Sequence, residues 1–150
     1  MRVLIQRVQH ASCTVDGTVT GAIGKGFLMF VGCSDSDDDA VIAKMASKAS
    51  SLRIFEDAAG KMNGSLADVQ GSILSISQFT LYADCRKGRR PSFTQAAGGD
   101  TAIHLYEKFN EELRRLGFTV ETGIFGADMK IELLNDGPVT IWLDTAELRG

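Results

Sequence analysis

Two short segments combine residue types that could act on a substrate. In Ser75-Ile76-Ser77-Gln78-Phe79-Thr80-Leu81 an apolar run abruptly carries Ser, Gln and Thr, and Asn135-Asp136-Gly137-Pro138-Val139-Thr140 holds one of the chain's two prolines. Hydroxyls, amides and main-chain N–H groups position a substrate and stabilise an oxyanion; they do not supply a strong nucleophile unaided. By pattern alone the first segment also suits the polar face of an antiparallel strand and the second an ordinary turn. A GxSxG elbow and a P-loop are absent, and the glycines from Gly21 to Gly26 are wrongly spaced for a dinucleotide fingerprint.

The remaining reactive residues are scattered. His10 ends the first strand-like run with no visible partner, and His104 falls in a helical segment beside its apolar stripe, which reads as a structural histidine. Two histidines and no HExxH or EF-hand pattern argue against a metal site, and no cofactor is expected. Cys13, Cys33 and Cys85 are odd in number, widely spaced and never in a CxxC pair, so reduced thiols are expected. Asp84 to Phe93 holds four cations in five residues, Arg86, Lys87, Arg89 and Arg90, in a chain whose formal charge is -3. A local cluster against an acidic background suits phosphate contact better than bulk attraction to nucleic acid.

The elements that must position these groups change period along the chain. Val3, Ile5 and Val8 open a β-rich run, and Asp16-Gly17 between Ser12–Val15 and Thr18–Ile23 reads as a hairpin turn. Gly26 to Gly32 is a continuous apolar run, as in a strand buried on both faces. Ser34 to Asp39 offers N-cap and first-turn acids for a helix whose stripe is Val41, Ile42, Met45, Ala46, Ala49 and Leu52. The aspartates read as its solvated N-terminus. Strands resume at Leu52–Phe55 and Ser72–Tyr82. A second helix is expected with Asp100 as cap, a stripe of Ile103, Tyr106, Phe109, Leu113 and Leu116, and a stop at Gly117. Phe118–Thr122, Met129–Leu134 and Val139–Leu143 read as strands, and Thr145–Gly150 as a frayed tail.

Two helices cannot cover both faces of that much sheet. The pattern therefore predicts an α/β fold in one domain over residues 1–150, a three-layer β/β/α sandwich with mixed sheets and both main helices on one side. A length of 150 residues, with 44% hydrophobic and 23% charged residues, suits one globular unit with its own core. MRVLIQRVQH lacks the apolar run of a signal peptide, and no stretch approaches the ~18 apolar residues of a membrane span. A cytoplasmic protein without a membrane partner is expected.

Taken together, SQFTL (Ser77 to Leu81), NDGPVT (Asn135 to Thr140), the opening MRVLIQRV and the loop RKGRRPSF (Arg86 to Phe93) resemble the D-aminoacyl-tRNA deacylase family. The likeness runs to about Asp144, and the strings are specific in this order and separation. It implies a cytoplasmic homodimer that cleaves the ester joining a D-amino acid, or glycine, to the terminal ribose of tRNA and spares L-aminoacyl esters. It implies no DNA partner. Ser77, Gln78, Phe79 and Thr80 would line the scissile ester and the terminal adenosine. Gly137 and Pro138 would form a Gly-cis-Pro element entering the partner's pocket, with Arg7 fixing it, Asn135 beside it, and Phe125, Gly126, Ala127 and Met129 lining that pocket. Only ~5–6% of X–Pro bonds are cis, so the cis expectation comes from the resemblance. The expected chemistry is oxyanion stabilisation by N–H groups near Phe79 and Thr80, with Thr80 a positioning group and the vicinal ribose hydroxyl assisting water. The alternatives are a non-catalytic RNA-binding dimer and a covalent hydrolase using Cys85 or Ser77.

Overall fold

The structure, a computed structural model, describes residues 1–149. β1 (Arg2–Val15) is the spine of the sheet. It turns into β2 (Thr18–Ile23) through Asp16 at φ 49° and Gly17 at φ 78°. Positive φ at both central residues is the hairpin geometry that Asp-Gly favours. β3 (Gly26–Gly32) pairs antiparallel with the first half of β1, from Arg2↔Gly32 to Val8↔Gly26. α1 (Asp39–Ser50), the short ribbon β4 (Phe55–Glu56) and β5 (Met62–Gly64), and then β6 (Ser72–Ser77) follow. After a 3-10 turn at Phe79–Tyr82, α2 (Gly99–Arg115) leads to β7 (Val120–Thr122) and β8 (Lys130–Asp144). β6 runs parallel to β3, and β7 parallel to β6, with a helix in each crossover. β8 takes the other edge of β1, antiparallel over almost its whole length.

This mixed sheet curls until β2 meets β7: a Cβ on Gly21 would lie 2.5 Å from the Thr122 carbonyl oxygen. Curling gives each strand two different faces. One face packs Val3, Ile5, Phe27, Met29 and Ile73 against Ile42, Met45 and Ala49 of α1 and Leu105, Phe109 and Leu113 of α2. The other face closes strand on strand, joining Val8, Ala11, Cys13, Leu28, Leu74 and Ile76 to Met129, Ile131 and Leu133. The β/β/α order expected from sequence is thus present, with both β layers cut from one continuous sheet.

Several local expectations are corrected. Asp38, one of the expected cap candidates, does cap α1 by accepting from Val41 N at 2.9 Å, but the Asp37 side chain is buried on the N-terminal amine rather than solvated. Leu52–Phe55 contributes only Phe55 to a strand. Gly98 precedes α2 as its cap in place of Asp100, and the buried stripe is Ala102, Leu105, Tyr106, Phe109, Asn110 and Leu113. That phase leaves His104 exposed and Leu116 39% exposed. Thr145–Leu148 is not frayed: Thr145 N donates to Met1 O at 3.0 Å, and Leu148 packs on the helix-side core. Gly150 lies outside the described residues. No helix among the described residues is long and apolar enough to cross a membrane.

Candidate active site

β6 stops at Ser77, five residues short of the expected Tyr82. Gln78 N donates to Val31 O at 2.8 Å as the last rung to β3, and the chain then tightens into the 3-10 turn. Gly32 makes that approach possible, because a Cβ there would sit 3.1 Å from both Gln78 O and Leu81 Cβ. The far half of the turn is anchored by Arg2 Nη1 donating to Leu81 O at 2.9 Å and by the buried Tyr82 ring under the Arg2 guanidinium, 4.4 Å from its centroid. In the near half, Gln78 Nε2 donates to Thr80 Oγ1 at 2.6 Å. The Phe79 and Thr80 N–H groups find no acceptor among the described residues. No carboxylate, imidazole or amine hydrogen-bonds to Ser77 or Thr80 among them either, so neither hydroxyl has an activating base.

The Phe125 segment joins this end of the sheet. β7 pairs Thr122 with Ser75, so Gly123 to Phe125 emerges beside Ile76 and Ser77. Gly123 is packed so closely that an added Cβ would meet Cys13 Sγ at 3.0 Å and Ile76 Cδ1 at 3.3 Å. Phe125 leans on Tyr106 with ring centroids 6.1 Å apart, and Tyr106 Oη donates to Ser75 O at 2.6 Å. Gly126, at φ 79°, and Ala127, whose N donates to Ile124 O, close the turn toward Met129. The Phe125 turn therefore leaves the sheet at the same end as Ser77.

The NDGPVT string is not a chain-reversing turn. It is a bulge inside β8: pairing passes from Gln6↔Thr140 to Val8↔Asn135, so Asp136 to Val139 stand opposite Arg7 alone. This is why the two expected strands, Met129–Leu134 and Val139–Leu143, are one strand that begins at Lys130. The Gly137-Pro138 peptide is cis, and Gly137 has φ 138°, a region that L side chains rarely adopt. Arg7, only 6% exposed, donates from Nε to Asp136 O at 2.9 Å and from Nη1 to Ile54 O at 2.6 Å. Asn135 braces the other side: its Oδ1 accepts from Val139 N at 2.9 Å and its Nδ2 donates to Thr140 Oγ1 at 3.0 Å. Gly137 and Pro138 are left exposed. Thr140 was not singled out by sequence reasoning; its place at the end of the NDGPVT string was the available signal.

Within one chain these two halves lie at different levels of the sheet. Ser77 is level with Val31 and hence Val3, whereas the bulge is level with Arg7. Four residues along β1 correspond to about 13 Å, and β6 lies three strands across the sheet from β8.

The basic loop adjoins the turn, not the bulge. Asp84 and Ser92 close it with two backbone hydrogen bonds of 2.7 and 2.9 Å, and Gly88 turns its tip at φ 70°. Arg86 forks onto Asp84 at 2.8 and 2.6 Å, holding that carboxyl down at about 2. Arg86 is thus locally balanced, while Lys87, Arg89 and Arg90 are exposed and form no ion pair among the described residues. At the loop's foot, Phe93 meets Phe79 edge to face, with centroids 5.0 Å apart.

Unoccupied main-chain donors can receive a developing oxyanion, and the exposed cations beside them can meet phosphate, an arrangement compatible with hydrolysis of an ester on a nucleic acid. Comparison with known proteins agrees. The profile of the family described as D-Tyr-tRNA(Tyr) deacylase matches residues 4–144. D-aminoacyl-tRNA deacylases of Thermomicrobium roseum and Thermus aquaticus are 62% and 54% identical to it over 150 residues, covering 100% of this chain and 97% and 99% of theirs. A solved structure titled c-Myc DNA Unwinding Element Binding Protein superposes with a TM-score of 0.91 at 40% identity, covering 96% of this chain and 98% of that one. A structure titled as a probable eukaryotic D-amino acid tRNA deacylase shares the fold, with a TM-score of 0.81 at 20% identity over 95% of this chain and 97% of that one. The chain belongs to the D-Tyr-tRNA(Tyr) deacylase family and is an enzyme of its kind, hydrolysing D-aminoacyl-tRNA.

Proposed function

We propose that the working site is assembled between two copies of the chain, the Gly137-Pro138 bulge of one entering beside Ser77–Thr80 and Phe125–Met129 of the other. The observation that carries this reading is the separation of the two halves along β1 within a single chain. The outer edge of β8 supports it: this 15-residue edge strand exposes Leu134 at 46% and Trp142 at 43%. Long edge strands with apolar side chains are ordinarily covered.

In that site the Phe79 and Thr80 N–H groups receive the oxyanion that develops as water attacks the ester, each donor contributing ~2.7–4 kcal/mol in comparable sites. Thr80 Oγ1 accepts from Gln78, so its own proton is free to polarise or position the substrate. The vicinal ribose hydroxyl assists the water. With the amino group and carbonyl held, the Gly137 backbone closes the direction an L side chain would occupy, while a D side chain points to solvent. Glycine passes. Lys87, Arg89 and Arg90 hold acceptor-end phosphates, with Arg86 shaping the loop. The reaction clears mischarged tRNA in the cytoplasm before it reaches translation.

Substoichiometric protein incubated with D- and L-tyrosyl-tRNA separates this from a non-catalytic RNA-binding dimer: repeated turnover of the D ester alone is expected. Duplex DNA added as competitor shows whether the loop serves phosphates generally. Mixing Thr80→Val with Gly137→Val protomers tests assembly, since one intact site per mixed dimer raises activity above that of either variant alone. A fully active monomer, or equal consumption of both enantiomers, overturns the proposal.

A further inference from the structure

We propose that Phe93 is a positioning residue: through its edge-to-face contact with Phe79 it sets the orientation of the Phe79–Thr80 main chain, making the basic loop and the ester-cleaving turn one mechanical unit. The inference rests on the reading of that turn given above.

The two halves of the turn are held unequally. Its far half has the Arg2–Leu81 hydrogen bond, the Ala83 N to Thr80 O bond of 3.0 Å and the buried Tyr82 ring. Its near half, which carries both free N–H groups, has the Gln78 rung to Val31, the Gln78–Thr80 side-chain bond, the 3.2 Å Leu81 N to Gln78 O bond and the Thr80 end of the Ala83 bond, but no buried side chain. Phe79 itself is 55% exposed, and the one aromatic ring it meets among the described residues is Phe93, at 5.0 Å and 71° between planes. Phe93 in turn is not free to drift. It directly follows Ser92, whose two bonds to Asp84 close the basic loop, and its carbonyl accepts from Ala96 N at 3.1 Å. Four residues on, Ala97 N donates to Cys33 O at 2.9 Å, tying the segment back to the end of β3. Side-chain direction at Phe79 and the plane of the peptide after it are coupled through one Cα, so a ring clamped by Phe93 restrains the donors beside it. A loop that engages phosphate is therefore rigidly referenced to the atoms that meet the ester.

The test uses Phe93→Leu, which removes the ring and keeps the bulk, and Phe93→Tyr, which keeps the ring. Each is assayed on D-tyrosyl-tRNA and on D-tyrosyl-adenosine, which has no acceptor stem. Phe93→Leu is expected to lower kcat about 3- to 10-fold on both substrates, the range an aromatic pair commands. The salt dependence of KM for tRNA should stay unchanged, and Phe93→Tyr should retain kcat. A loss confined to KM on tRNA, a changed salt slope, or no loss at all overturns the inference. Phe79→Ala run in parallel separates the two failures. If it is fully active, the reading of the turn is wrong; if it is impaired while Phe93→Leu is not, the coupling alone is wrong.

Discussion

The turn after β6 and the bulge in β8 are both short interruptions at the margin of a strand, yet they treat their polar groups in opposite ways. The turn leaves donors open: the Phe79 and Thr80 N–H groups are without acceptors, and a threonine hydroxyl is held by one amide. The bulge closes its polar groups on themselves, through Arg7 on Asp136 O and Asn135 on Val139 N, and shows outward little but the backbone of Gly137 and the Pro138 ring. A segment with free donors can stabilise charge; a segment with braced backbone can only measure shape. On the proposed reading, rate belongs to the turn and stereochemical selection to the bulge.

The largest expected effect is at Gly137. An alanine there would have to adopt φ 138° and place Cβ 3.0 Å from Val139 N and 3.2 Å from Arg7 Nη2. The bulge must move, and a displacement near 1 Å costs on the order of 100-fold in kcat/KM. The D-to-L ratio should collapse with it in paired deacylation assays. A Gly137→Ala enzyme that is slow but still selective would transfer selection to the turn.

Arg7→Lys comes next. A lysine cannot reach both carbonyls with the same fork, so at least one buried acceptor, Asp136 O or Ile54 O, loses its charged donor. Unfolding free energy should fall by about 1.5–3 kcal/mol in denaturant melts, with loss of selectivity alongside. Thr80→Val is its counterpart in the turn: kcat should drop about 10-fold, one charge-stabilising contact, while the D-to-L ratio holds. If Thr80→Val alters the ratio and Arg7→Lys does not, the division of labour is reversed.

The basic loop should give a smaller, purely electrostatic effect. Replacing Lys87, Arg89 or Arg90 by alanine should each reduce the log–log salt slope of tRNA binding by about 0.7–0.9. Arg86→Ala should do less directly and loosen the loop instead, because its partner is Asp84. That pair sets a pH window. The Asp84 pKa is depressed from an ordinary 3.8 to about 2 by the Arg86 hydrogen bonds, so its contribution is complete above about pH 4 and disappears as pH falls through 2. The slopes should therefore be the same at pH 5 and pH 8.

Much of this scaffold is readable from residue order, and the unreadable parts have identifiable causes. Asp16-Gly17 announces its hairpin because positive φ at two successive positions admits few residues. The all-apolar Gly26–Gly32 run announces a strand buried on both faces, and both cores do line it. The helical stripe of α2 was placed a fraction of a turn off, since Leu105 and Asn110 are buried by partners that lie far away in sequence. The SQFTL and NDGPVT strings stand out by residue type, but their roles came only through resemblance, because nothing in their composition distinguishes a donor-bearing turn from a strand's polar face. The bulge is the clearest case. It exists through mispairing with a distant strand, Gln6↔Thr140 against Val8↔Asn135, which no local pattern encodes. Arg7 reads as one more polar residue in an alternating strand until Ile54 and Asp136 are seen to surround it.

The smallest effect tests whether rate belongs to the turn's backbone or to a thiol beside it. Cys85 is exposed in the segment between the turn and the basic cluster, and it is the one cysteine a covalent mechanism could use. Cys33 is buried, its thiol pushed up to about 12 by desolvation and by Asp37, so it stays protonated and unreactive at neutral pH. Iodoacetamide should therefore label Cys85 and leave Cys33 intact in the folded protein, as peptide mass mapping would show. Cys85→Ser should keep kcat on D-tyrosyl-tRNA within about 2-fold, since a nucleophile would lose far more on that exchange. No acyl adduct should be trapped on either residue during turnover. An inactive Cys85→Ser enzyme with an acylated Cys85 in the parent would make the thiol the reactive group and reduce the turn to a substrate cradle.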